Sequence, residues 1–142
     1  MKLSTKGRYG VKAMFALAQK YGRGPIPLKN IAKEQGISEP YLEQIISSLR
    51  KAGLVKSVRG AQGGYMLTKD PARITVGDII RILEGPIVPT DCVIDNDNIT
   101  CQNARGCIPR EVWKKVKDSV NEVMDSITLK QMCDEARKGG NN

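Results

Sequence analysis

Apolar positions recur along the chain at spacings that change from segment to segment, and the changes mark out its elements. In residues 5–21, Val11, Met14, Phe15, Ala18 and Tyr21 fall three to four residues apart, the period of one helical face, and Gly22-Arg23-Gly24-Pro25 stops the run. A shorter helix is predicted over 28–35, with Leu28, Ile31 and Ala32 inward and Gly36 at its end. Ser38 then stands where an N-cap belongs, Pro40 suits a first turn, and Tyr41, Leu42, Ile45, Ile46 and Leu49 form the stripe of a third helix. The pattern next becomes that of two short strands, 54–58 and 65–67, joined by the tip Arg59-Gly60-Ala61-Gln62-Gly63-Gly64. Residues 75–84 read as a fourth helix closed by Gly85-Pro86. Pro109 opens a long one in which Val112, Val116, Val120, Val123 and Ile127 recur, flanked by Trp113 and Met124, and 128–138 makes a last helix containing Cys133.

A short helix, a glycine turn, a longer helix and then a hairpin make a winged helix-turn-helix. The predicted fold is therefore mostly α with a small β-hairpin: a winged helix-turn-helix DNA-binding domain plus a long C-terminal dimerisation helix. Residues 1–84 form the DNA-binding domain, 85–108 a cysteine-containing loop, 109–137 the dimerisation region and 138–142 a flexible tail. The valine seam of the long helix is close to a coiled-coil pattern and asks for a partner, which for a twofold regulator is a second copy.

Charge narrows the partner. The net charge is +8, but residues 1–81 carry 15 Lys/Arg against 5 Asp/Glu, whereas 82–142 carry 8 against 10. A basic module joined to a slightly acidic one suits double-stranded promoter DNA at one end only. With no histidine in the chain, Ser-His-Asp and Cys-His catalysis and histidine zinc sites are excluded, which disfavours an enzyme. The N-terminus is charged at once, without the apolar stretch of a signal peptide, and no run is long enough for a membrane span; a cytoplasmic protein is expected.

If the third helix enters the major groove, Ser38, Glu39, Glu43, Gln44, Ser47 and Ser48 face the bases. Gln44 can pair bidentately with adenine, and Glu43 can accept from cytosine N4 while repelling phosphates and base acceptors. Thr5, Lys6, Arg8, Lys33, Arg50 and Lys51 are candidate phosphate contacts, and Arg59 at the wing tip suits a minor groove.

The remaining candidate chemistry lies in residues 91–107, a stretch rich in Asp and Asn that holds Cys92, Cys101 and Cys107. Three thiols on one such segment fit an iron–sulfur cluster, which tolerates irregular spacing. Structural zinc prefers two tight Cys pairs, and a disulfide or free thiols is the remaining option in a reducing compartment. Cys133 fits a plain small apolar side chain.

The stretches 3–10, 37–44 and 59–65, with Gly77-Asp78-Ile79-Ile80 and the three cysteines, together resemble the IscR-type winged-helix transcription regulators, relatives of the cysteine-metabolism repressor CymR. The resemblance covers nearly the whole chain. It implies a homodimeric regulator, by expectation a repressor, in which Cys92, Cys101 and Cys107 hold a [2Fe–2S] cluster and cluster status controls iron–sulfur biogenesis genes. It also implies that Ser38, Glu43 and Gln44 read bases, with Glu43 discriminating between promoter classes, and that Arg59 enters the minor groove. The best-known members carry a fourth ligand, histidine, three residues past the third cysteine, where this chain has Arg110. A guanidinium cannot ligate iron, so the fourth ligand falls to a carboxylate (Asp91, Asp95, Asp97 or Glu111), a partner-subunit residue, a small thiol or the distant Cys133. The same departure suits a metal-free thiol- or partner-controlled repressor of sulfur and cysteine metabolism. A small iron–sulfur carrier or redox protein is the alternative of another class.

Overall fold

The computed structural model describes residues 2–94 and 106–139. Its order is α1 (Thr5–Gln19), α2 (Leu28–Gln35), α3 (Glu39–Lys51), β1 (Val55–Val58), β2 (Gly64–Leu67), α4 (Val76–Glu84), α5 (Ile108–Ser126) and α6 (Leu129–Lys138). Short 3₁₀ turns at Pro71–Arg73 and Asp91–Val93, which periodicity cannot register, complete it.

Local signals set most boundaries. Ser4 caps α1 by accepting from the Gly7 N–H, and Ser38 caps α3 by accepting from the Tyr41 N–H. Gly36 ends α2 in the left-handed conformation, at φ 65°. Helix α1 stops two residues before the predicted end, and Tyr21, expected inward, is 46% exposed: it lies in the turn after the helix, where the helical period no longer aims it at the core. Strands β1 and β2 pair antiparallel, with Val55 opposite Leu67 and Val58 opposite Gly64. A reciprocal pair of backbone bonds between Ile26 and Tyr65 (2.9 and 2.8 Å) anchors the hairpin to the approach to α2.

The core is built from Met14 and Leu17 of α1, Ile31 of α2, Leu42, Ile45, Ile46 and Leu49 of α3, and Ile79 and Leu83 of α4. Leu129 and Cys133 of α6 belong to it as well, so the chain's last helix returns to pack on α1. Two capping boxes, at Thr75 for α4 and Thr128 for α6, sit opposite each other across a short antiparallel bridge. There Val76 donates to the Ile127 carbonyl and Leu129 to that of Ile74, each at 2.9 Å. Helix α5, in contrast, contributes no buried residue. None of the described helices is long and apolar enough to cross a membrane.

Candidate nucleic-acid interface and cysteine segment

Helix α3 buries one face in the core and leaves Glu43, Gln44 and Arg50 exposed on the other. These residues, with Ser47, Lys6 of α1 and Tyr65 of β2, line one groove of about 620 Å³. Seven predicted contacts, Lys6, Glu43, Gln44, Ser47, Ser48, Arg50 and Lys51, thus share a single surface. Thr5 and Arg8 are exposed on the same helix as Lys6. The Ser38 hydroxyl is engaged in the α3 cap at 3.4 Å as an acceptor, which leaves its proton to donate outward. Arg59 is exposed at the wing tip, where Gly60 (φ 112°) lets the chain turn and accepts from the Gly63 N–H. Lys33 stands apart, lining with Lys29 and Glu39 a separate depression at the α2–α3 turn.

Two contacts that the sequence does not advertise set this surface. Tyr9 of α1 meets Tyr41 of α3 edge-on, with ring centroids 6.1 Å apart at 89°, and Lys12 lies 5.3 Å over the Tyr9 ring. Tyr65 enters the groove through the Ile26 pairing; its place in the 59–65 stretch was the available signal, although that stretch reads as glycine chemistry rather than as an aromatic wall.

Among the described residues of the cysteine segment, Cys92 lies in the 3₁₀ turn and Cys107 is the N-cap residue of α5. Both are half-buried and in no disulfide. Cys101, Asp95 and Asp97 fall outside the described residues. Arg110, one turn into α5, donates from Nε to the Cys92 carbonyl at 3.0 Å and so ties the start of the segment to its end. Asn121 continues the clamp, giving its amide to the carbonyls of Ile87 and Lys117 at 2.8 Å and accepting from Arg81 Nη2 at 2.6 Å. Arg81 also grips Asp125 through both terminal nitrogens at 2.8 Å. That hydrogen-bonded pairing holds the Asp125 carboxyl below its ordinary range and raises the guanidinium further. Cys133 is 5% exposed, and burial pushes its thiol up, which keeps it protonated and apart from the loop chemistry. Among the described residues, no three Cys, Asp or Glu side chains come together as a metal site.

Residues 3–135 match the Rrf2 family, described as an iron-dependent transcriptional regulator. The chain belongs to the Rrf2 family. This is a family of transcriptional regulators rather than enzymes, and its relatives include the HTH-type transcriptional regulator CymR of Bacillus subtilis, 52% identical over 94% of this chain and 90% of that protein. The solved structure of B. subtilis CymR, described as the global cysteine regulator of that organism, superposes with a TM-score of 0.80 at 50% identity, covering 95% of this chain and 98% of its own. T. potens IscR also superposes at 0.80, with 55% identity over 98% of this chain and 90% of that one. Staphylococcus aureus CymR, solved in an oxidised form, gives 0.73 at 44% identity, over 94% and 96% of the two chains. As an Rrf2 regulator with a two-stranded wing, the chain has the winged helix-turn-helix architecture anticipated from its hydrophobic pattern.

Proposed function

We propose that this Rrf2 regulator is a repressor that binds promoter DNA as a homodimer through α5, under the control of the thiols in its cysteine segment, and that it governs sulfur and cysteine metabolism. Lys6, Arg8, Arg50 and Arg59, with Thr5, hold the phosphates and the minor groove, while Ser38, Glu43, Gln44 and Ser47 meet base edges. One observation carries the choice of input: Arg110 occupies the position of the expected fourth ligand, and its Nε is spent on the Cys92 carbonyl. With no histidine in the chain, the three thiols Cys92, Cys101 and Cys107 are one short of the four ligands that a cluster takes. Likeness to CymR, a cysteine regulator with a structure in an oxidised form, supports the same reading.

A [2Fe–2S] cluster on Cys92, Cys101 and Cys107, with the protein controlling iron–sulfur biogenesis genes, is the second reading. The iron-dependent description of the family and the likeness to T. potens IscR favour it. In that case a fourth ligand comes from a carboxylate, a partner subunit or a small thiol.

Anaerobic purification with iron and sulfide assays separates the two, repeated on Cys92→Ala, Cys101→Ala and Cys107→Ala. The thiol reading expects colourless protein whose affinity for promoter fragments of cysteine-metabolism genes changes with a thiol oxidant in wild type and not in the variants. Stoichiometric iron and sulfide, with charge-transfer bands lost in all three variants, would establish the cluster instead.

A further inference from the structure

The N-terminus of α1 is completed by a residue 80 positions away. Ser4 is the N-cap, and its Oγ accepts from the N–H of Gly7 at 3.1 Å. In an ordinary capping box the third helical residue is Glu or Gln, whose side chain returns the favour to the N-cap N–H. Here that residue is Gly7, which has no side chain to return it. The Ser4 N–H instead donates to Glu84 Oε1, from the last turn of α4, at 2.5 Å. A side chain at position 7 would compete with the carboxylate for the same space: a Cβ there would lie 2.6 Å from Glu84 Oε1. The glycine thus opens the gap that the distant carboxylate fills, and the capping box is split between two helices.

We propose that Glu84 is a positioning residue for DNA binding, setting the start of α1 so that Thr5, Lys6 and Arg8 meet the phosphates; this rests on the DNA-binding reading above. Thr5 and Lys6 are the first two residues of the helix that Glu84 completes, and Lys6 lines the α3 groove. Glu84 is an exposed anion at the edge of a basic surface, where it repels phosphate. Its contribution to binding is therefore indirect, through the order that it imposes on neighbouring cations. Glu84 also directly precedes Gly85, at which the chain leaves α4 for the cysteine segment.

The test is the salt dependence of binding to a short mixed-sequence duplex, for wild type, Glu84→Ala and Glu84→Gln. The slope of log affinity against log salt is expected to fall in Glu84→Ala by about 1 for each phosphate contact released. Glu84→Gln keeps an acceptor oxygen and should keep a slope near that of wild type. A merely structural role would lower the melting temperature of Glu84→Ala and leave the slope alone, which would overturn the proposal. Wild-type protein without salt-dependent binding would overturn the DNA-binding reading and this inference with it.

Discussion

Gly64 carries more constraint than any side chain in the wing. Its φ is 151°, a region that L side chains rarely adopt, and a Cβ there would stand 2.3 Å from the carbonyl carbon and oxygen of Ile26. Those atoms are backbone and cannot swing aside, and they belong to the Ile26–Tyr65 pair that holds the hairpin. Gly64→Ala is expected to cost about 1–3 kcal/mol, read as a lower melting temperature, and to weaken DNA binding because Tyr65 loses its anchor. Gly10 is a contrasting case: the obstacle to a Cβ there is Leu83 Cδ1, the end of a side chain that can rotate. Residues of this kind mark the limit of what the sequence disclosed. Glu43, Gln44 and Arg50 could be named because a helical period places them opposite Leu42, Ile45 and Leu49. Glu84 and Asn121 could not, because their partners are backbone groups 80 and 34 residues distant, and a hydrogen bond to backbone leaves no pattern in side-chain identities.

Helix α5 was the clearest element in the hydrophobic pattern, and its surroundings were the least clear. Periodicity placed it within a residue of its observed start, yet the stripe that usually signals burial is partly open: Val112 and Val123 are exposed, as are Ile108 and Trp113 near its start, while Val116, Val120 and Ile127 are half-buried. Burying an aliphatic side chain contributes about 1.5–3 kcal/mol, so several of these together far outweigh the charge terms of the helix. Apart from Glu111 in the first turn, the charges are also placed against its dipole. Arg110, Lys114, Lys115 and Lys117 occupy the N-terminal half, and Asp118, Glu122 and Asp125 the C-terminal half. Two antiparallel copies of α5 set each half against its opposite. Val112→Asp and Val123→Asp are therefore expected to give monomers by sedimentation, with the helical content of wild type, because neither residue supports the core. A dimer that persisted in both variants would remove α5 as the interface.

At the scale of the whole molecule, basic and acidic parts are joined in a way that the division at residue 85 did not convey. Periodicity marked α6 as a helix, but no local signal says that Leu129 fills the core beneath α1 or that Thr128 bridges to Thr75; both are facts of chain return. The core therefore takes material from both sides of the cysteine segment. Clamps at Arg110–Cys92, Asn121–Ile87 and Arg81–Asp125, with the bridge at Thr75–Thr128, join the same two sides without using the covalent path between Ile94 and Gly106. The protein should on this ground be separable into two polypeptides. Residues 1–94 and 106–142, expressed together from separate genes, are expected to co-purify as a folded pair, whereas 1–94 alone, missing Leu129 and Cys133 from its core, should aggregate. Recovery of a stable, monodisperse 1–94 fragment would refute this. A regulator divisible at its cysteine segment keeps its α3 surface and α5 in register by packing alone, so a change in the length or chemistry of that segment need not disturb either.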